Sequence, residues 1–298
     1  QKHQFHLQIM DIRSFLMGIS IAFMWASAFT AARILMINAP PFLVLSSRFF
    51  ISGLLAITIA RCFGQKIDFS RREWYTILSI GLCQNTVCTA LNFTAMQWVT
   101  ASIAAIIASM LPIIIAMFAW IFQGEEIGVI GKLGLFTAIA GVFLIVYDKT
   151  ADETKILGLV LCIVAVLGFA GAALIVGNSL KNNKNLFMIV GLQMIVGSVT
   201  LLPLSILFET WTIKFSSIFI ISFAYLILIP GLIGTLVWFS LLIRIGGTKA
   251  SAFHFLNPFF GVAIASVILS EPLTSRDWIG VAIISVGILA VQHSKRIV

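Results

Sequence analysis

A shift of 146 positions lays residues 89–145 on residues 235–291 without a gap, so one segment occurs twice in the chain. Thr89 falls on Thr235, Phe93 on Phe239, Ala104 on Ala250, Pro112 on Pro258, Ala119 on Ala265, Glu125 on Glu271, Gly134 on Gly280 and Gly141 on Gly287. Eight identities are few, but their kinds are informative: helix-bending prolines, a loop-edge glutamate and packing glycines return in step. A duplication restricts the fold to two copies of one unit. If the chain crosses a membrane an odd number of times between corresponding points, the second copy lies upside down. Inverted copies of this kind characterise carriers that present one midplane site to each side of the bilayer in turn.

Composition puts the chain in a bilayer. Of its 298 residues 60% are hydrophobic and 10% charged, against about 25% charged in a soluble domain. Mean hydropathy is +1.09. The apolar runs are continuous and long enough for helices of roughly 20 residues, without the alternation of a membrane β-barrel. They predict an all-α integral membrane fold of ten transmembrane helices at 14–36, 42–60, 74–93, 98–122, 130–147, 156–179, 186–208, 217–243, 248–269 and 277–293. The organisation expected is a cytoplasmic extension over 1–13, a five-helix repeat over 14–147 and a second, inverted five-helix repeat over 156–293. Gln1 to Ile9 precede a candidate start at Met10 and read as a non-native or disordered extension. The apolar run from about Phe15 is too long for a signal-peptide core and reads as a retained span.

The formal charge of +8 is scattered over span ends rather than gathered in a patch, which argues against nucleic acid as a partner. It follows topology instead. With the N-terminus inside, thirteen Lys and Arg fall on the inner side and four (Lys149, Lys155, Lys214 and Arg276) on the outer, a clear positive-inside bias. Both termini are therefore expected in the cytoplasm, which requires an even number of spans and agrees with five plus five. Trp74, Trp211 and Trp278 stand at span ends as interfacial anchors do.

Three features point to where chemistry would sit. Pro112 and Pro258 fall near the middle of matching spans, where each removes a backbone donor and displaces the carbonyl four residues earlier, that of Ala108 and of His254. Matched interruptions in two halves point to a midplane site; the competing reading is that both merely kink the bundle. Pro230-Gly231 adds a third flexible point. Polar residues cluster by face: Asn85, Thr89 and Asn92 with Gln84 beside them on span three, and Ser251, His254 and Asn257 on span nine. Such groups either line a pathway or bridge helices. Trp25 and Trp238 are deep enough to wall a cavity. Two arginines lie within spans. Arg33, a turn from the outer end, is the expected charged contact with cargo, with snorkelling to the headgroups as its alternative. Arg48 is deeper and reads first as a packing residue bonded to helix-end carbonyls, second as an anion contact.

All eleven acidic residues sit at span ends or in connectors, so no mid-membrane carboxylate is available to trade a proton for a cationic solute. His254 is the one imidazole well inside a span, His293 standing at the last residue of the tenth, and it reads as a hydrogen-bonded packing residue or as a proton acceptor. Cys62, Cys83, Cys88 and Cys162 have neither metal-ligand spacing nor a disulfide framework, and no cofactor or metal is expected. A membrane enzyme would need more acidic or catalytic groups at the interface than Glu125-Glu126 supplies, and a pore would show steady flux without saturation.

These residues resemble the drug/metabolite transporter superfamily, in particular its EamA-domain proteins. Trp25-Ala26-Ser27-Ala28-Phe29 followed by Arg33 is similar to that family's Trp-Gly-Ser-Asn-Phe and lysine on span one. Pro40-Pro41 with Arg48-Phe49 resembles its second-span motif, and Pro112, Gly124-Glu125, Gly134 and Gly141, repeated as Pro258, Glu271, Gly280 and Gly287, resemble the pattern that closes each domain. Ala26 and Arg33 depart from the family's glycine and lysine, so a lysine-specific role does not carry over. The resemblance implies a ten-helix inverted repeat around a central cavity and the transport of amino acids or related metabolites across bacterial inner membranes. The combined expectation is a secondary carrier of a small neutral, zwitterionic or carboxylate-bearing metabolite, working by alternating access as an exporter. A nucleotide-, sugar-phosphate- or cofactor-type anion held by Arg33 and Arg48 is the alternative. The substrate-binding residues expected are Trp25, Arg33, Asn85, Asn92, Trp238, His254 and Asn257, with hinges at Pro112, Pro230 and Pro258. Membrane lipid is the other expected partner; oligomeric state is not readable.

Overall fold

A computed structural model describes residues 11–123, 128–147, 153–179, 185–271 and 275–294, and among them all regular secondary structure is helical, without strands. The loop glutamate Glu125, the extension up to Met10 and the basic connector at Lys181 and Lys184 lie outside the described residues. Helix α1 (Ile12–Asn38) starts where the Asp11 carboxylate accepts from the Ser14 N–H at 2.9 Å, and it ends before Pro40. Helix α2 (Pro41–Cys62) begins on a proline, which needs no hydrogen-bond partner for its nitrogen in a first turn.

The single third span expected from the sequence is three pieces: α3 (Arg71–Ile80), a π-helical stretch Gly81–Thr89, and α4 (Ala90–Ala95). A Ser70–Glu73 capping box opens α3. In the wide turns the Thr89 hydroxyl donates at 2.8 Å to the carbonyl of Gln84, five residues back. The fourth is broken at Ser109–Met110 into α5 (Ala101–Ala108) and α6 (Leu111–Gln123), with Pro112 in the first turn of α6. Then come α7 (Val129–Tyr147), α8 (Glu153–Ser179) and α9 (Leu186–Phe208). The next run is α10 (Ser217–Leu226), a π-helical stretch Ile227–Ile233 around Pro230, and α11 (Gly234–Ile245). It is followed by α12 (Gly247–Ser251), a 3₁₀ stretch Ala252–Leu256, α13 (Asn257–Leu269) and finally α14 (Ser275–Ser294). Among the described residues seven helical runs are long and apolar enough to cross a membrane, with shorter apolar stretches at Val129–Gly141 and Trp278–Ala290. Phe50, Phe143, Leu207, Ile221 and Val286 all point outward and are more than half exposed, which suits contact with lipid rather than water.

Two seams of glycine join the halves. In one, α7 packs on α14 so closely that a methyl group built on Gly287 would stand 2.6 Å from the Gly134 carbonyl oxygen. One on Gly141 would stand 3.0 Å from that of Gly280. Positions 134 and 141 of α7 thus meet 287 and 280 of α14, which are each other's counterparts under the 146-residue shift. The order is reversed, so the two helices cross antiparallel. In the other seam Gly53 of α2 and Gly191 of α9 face each other's carbonyls, while Ser46 bonds Ser198 and Phe63 meets Phe187, again antiparallel. Small residues permit this approach, and dispersion and weak polar contacts between backbones hold it in a bilayer.

Two carboxylates cap helix starts at the end of the molecule opposite Asp11. Glu209, just after α9, accepts from the N–H groups of Phe42 and Leu43 at 2.7 and 2.9 Å. Glu271, after α13, accepts from the N–H groups of Ala101 and Ser102 at 2.9 and 3.2 Å and from the Ser102 hydroxyl. Each joins one half of the chain to the other and meets the positive end of a helix.

Substituting Gly287 by alanine is expected to lower stability by about 1–3 kcal/mol through overpacking against backbone that cannot move aside. Glu271→Ala is expected to cost about 1–2 kcal/mol as a lost cap. Melting temperatures of the detergent-purified variants check both; unchanged values would disprove the close seam and the cap.

Candidate functional site

The breaks in the helices converge on a cavity of about 120 Å³. Its walls come from α1 (Trp25, Ala28, Phe29), α2 (Arg48, Phe49), the π stretch and α4 (Gln84, Asn85, Cys88, Thr89, Asn92, Phe93) and Ala108 at the end of α5. From the second half come Val166 and Phe169 of α8, Met194 of α9, Pro230 and Thr235 beside the second π stretch, and His254 and Asn257 at the 3₁₀ stretch.

Pro230 explains much of this geometry. Lacking an N–H, it cannot bond the carbonyl four residues back, that of Leu226, and the chain widens around it. The carbonyls so displaced find donors on the first half. Arg48 Nε donates to Leu226 at 3.1 Å, the Ser52 hydroxyl to Ile227 at 3.2 Å and the Trp25 indole to Pro230 itself at 3.3 Å. Pro258 is resolved differently. The carbonyl of His254, expected to be left free, accepts from the Asn257 N–H in a tightened turn, as helix ends do when they narrow to 3₁₀ geometry.

Of the residues singled out from sequence, Trp25, Asn85, Asn92, His254 and Asn257 line the cavity together. Asn85 Nδ2 donates to the backbone and side-chain oxygens of Gln193 at 2.9 and 2.6 Å, and Asn92 Oδ1 faces the Cys162 thiol at 3.8 Å. Asn257 and His254 are linked, Nδ2 to Nδ1, at 2.8 Å. Trp238 stands one layer behind the wall: fully buried, it stacks on Phe169 at 5.7 Å and meets Trp25 and His254 at 5.2 Å. Arg33 is not brought to the cavity; its guanidinium donates to the Met96 carbonyl at the end of α4. That contact with a helix end occupies it instead. Pro230 lines the cavity, whereas Pro112 and Pro258 sit in first turns just after the breaks.

Arg48, read mainly as a packing residue, does bond a helix carbonyl but also lines the cavity. Phe169, Met194 and Thr235 were missed. Thr235 had a signal, since it matches Thr89 under the repeat and both line the wall. Phe169 and Met194 had none, being ordinary apolar residues of ordinary spans. Among the described residues no cluster of His, Cys, Asp and Glu is placed to hold a metal ion.

Beneath the aromatic cluster, toward the Asp11 end of α1, two further sets of contacts join the halves. The Phe253 ring occupies the space a Gly18 side chain would take and meets Phe15 edge-on at 6.2 Å. Further out, Arg244 Nη2 pairs with the Asp11 carboxylate at 3.2 Å, and Arg244 Nε donates to the Ser14 hydroxyl at 2.9 Å. The backbone N–H of Ser14 first, and then the Arg244 guanidinium, hold the Asp11 carboxyl down at about 2.

Two stretches, residues 12–147 and 156–292, match the profile of the EamA-like transporter family. The chain therefore belongs to that family, a multi-pass membrane protein of a transporter class. It is 25% identical over 294 residues to the uncharacterized transporter YvbV of Bacillus subtilis (strain 168), covering 97% of this chain and 94% of that protein. It is 23% identical over 286 residues to a WAT1-related chloroplastic protein of Arabidopsis thaliana, covering 93% and 69%. A solved crystal structure shares the fold with a TM-score of 0.71 at 16% identity, over 93% of this chain and 96% of its own.

Because the folded state depresses the Asp11 carboxyl, its contribution to stability is complete above the ordinary aspartate value near 3.9 and is lost as pH falls through about 2. The melting-temperature difference between wild type and Asp11→Asn is expected to be flat from pH 5 to 8 and to shrink below about pH 4. A difference unchanged down to pH 2.5 would rule out the paired carboxylate.

Proposed function

We propose that this protein is a secondary transporter that carries a small metabolite across the inner membrane by alternating access, in the export direction. In this reading the chain makes ten spans as two inverted five-helix repeats, over 14–147 and 156–293, with both termini in the cytoplasm. The antiparallel glycine seams between corresponding helices support the inversion, because a two-fold axis in the membrane plane reverses one copy against the other. The observation that carries the function is the cavity itself: it is polar on several sides, assembled from both halves, and lies where three proline-associated breaks interrupt the helices.

The cargo is an amino acid or a related neutral, zwitterionic or carboxylate-bearing solute. Trp25, Asn85, Asn92, His254 and Asn257 face it, Trp238 backs the wall, and Arg33 steadies the end of α4. Pro112, Pro230 and Pro258 mark the points about which the two halves rock. The Asp11–Arg244 pair and the Phe253–Gly18 contact close the cytoplasmic side in this state, while Glu209 and Glu271 tie helix starts on the outer side. Opening inward then means breaking one exposed ion pair and one ring contact, a small cost for a rocking motion.

Flux in proteoliposomes across an amino-acid and nucleoside panel tests this. A buried hydrogen bond is worth about 1 kcal/mol, so Asn85→Ala with His254→Ala is expected to lower flux of the transported solute by about tenfold or more. Wild-type flux in the double variant would remove the proposed site, and saturation-free, counter-transport-independent flux would replace the carrier by a pore.

A further inference from the structure

Four polar atoms on side chains that line the cavity have no hydrogen-bond partner: Arg48 Nη1, His254 Nε2, Asn257 Oδ1 and Gln84 Oε1. All four residues are more than nine-tenths buried. Buried polar groups without partners are rare in folded proteins and costly, about 1–3 in kcal/mol for each neutral group and more for a charged one. They are retained where something else completes them. The question is what chemistry would do so here.

Arg48 sets the terms. Its guanidinium is a rigid fork of five N–H donors. Nε is committed to the Leu226 carbonyl, and the guanidinium carbon lies over the rings of Phe49 and Phe93, at 5.3 and 5.4 Å from their centres. The fork is thus held by a hydrogen bond at one edge and aromatic rings around it, with Nη1 left over. Among the described residues no carboxylate pairs with it, and it carries the one formal charge in the cavity wall. With Nδ1 of His254 accepting from the Asn257 amide, that ring carries its proton on Nε2 and offers a second, neutral donor. Asn257 Oδ1 and Gln84 Oε1 supply acceptors and no charge.

We infer that Arg48 is the anion-recognising residue of the cavity and that the cargo presents to it a single carboxylate. This rests on the carrier reading and narrows its cargo. One positive charge neutralises one negative charge. A phosphate monoester, close to dianionic at neutral pH, would bring a second charge into a low-dielectric chamber with nothing to balance it. A guanidinium and a carboxylate are also matched in shape, two parallel N–H groups to two oxygens. The acceptors of Asn257 and Gln84 then receive a hydrogen-bond donor elsewhere on the solute, and Trp25, Phe29 and Phe169 accept an apolar body. A carboxylate without an ammonium group also cancels the charge of Arg48 inside the membrane, so a chamber loaded with one rocks at lower electrostatic cost than the empty one, whereas a zwitterion leaves that net charge in place and has its ammonium bonded by the neutral acceptors.

The test uses the detergent-purified full chain. Its melting temperature is followed with the twenty standard amino acids and with straight-chain monocarboxylates of two to six carbons, each beside its own carboxamide, and with glucose 6-phosphate and AMP. At least one carboxylate is expected to stabilise the protein, with the matching amide binding about tenfold or more weakly. Arg48→Gln is expected to abolish that preference and Arg48→Lys to keep part of it, since the charge stays and the fork is lost. Equal effects of acid and amide, stabilisation by the phosphate esters alone, no stabilisation by any carboxylate, or an undiminished preference in Arg48→Gln each overturn the assignment. If Arg48→Gln does not fold, the wild-type contrast and the reduced preference of Arg48→Lys decide. Flux of the same solute in proteoliposomes is read separately: binding that depends on Arg48 without flux would sink the carrier reading and leave Arg48 as the anion site.

Discussion

Backbone freed inside a hydrocarbon layer has to be bonded from somewhere, and that requirement organises the centre of this molecule. A carbonyl left without a donor there costs several kcal/mol. Pro230 displaces the carbonyl of Leu226 and widens the turn, and the donors that repair it belong to the opposite half of the chain: Arg48, Ser52 and Trp25. The repair draws α1 and α2 against the second π stretch. It also commits one edge of the Arg48 guanidinium, which fixes the direction in which the rest of that group points.

The cavity follows from the same constraint. Helices that stayed regular would pack side chain on side chain and leave little space. Here the wide turns at Gly81–Thr89 and Ile227–Ile233 and the narrow one at Ala252–Leu256 prevent close meshing, and polar side chains fill the gap. The glycine seams act in the opposite sense. By letting α7 meet α14, and α2 meet α9, with backbone against backbone, they fix the two halves together at their edges while the centre stays loosely filled. The molecule is thus tightly packed at its seams and irregular in its middle.

Much of this was legible in the residues. The apolar runs located the helices, because a lipid-spanning helix needs length and little else. The repeated glycines of 134, 141, 280 and 287 announced a close seam. The matched prolines announced the breaks, and the runs Asn85–Asn92 and His254–Asn257 announced a polar lining, which the geometry brings together. Less was legible in how each break is resolved. A proline says that a donor is missing but not whether the chain will widen, as at Pro230, or tighten, as before Pro258, because the outcome depends on which neighbouring helix offers a donor. The same blindness explains the arginines. The greater depth of Arg48 was legible, but not that Arg33 would reach the Met96 carbonyl near a helix end while Arg48 is held beside the cavity.

What the sequence determined by itself, then, was the helical membrane class, the duplicated unit and the places where helices must yield, since these follow from local hydrophobicity and from the chemistry of proline and glycine. The tertiary structure alone decided which charge lines the chamber, which rings cluster beside it and which carboxylates bind which helix starts. Many of those are contacts between residues more than two hundred positions apart, such as Trp25 with Pro230 and Asp11 with Arg244, and no local pattern encodes a partner that only the packing of the two halves brings within reach.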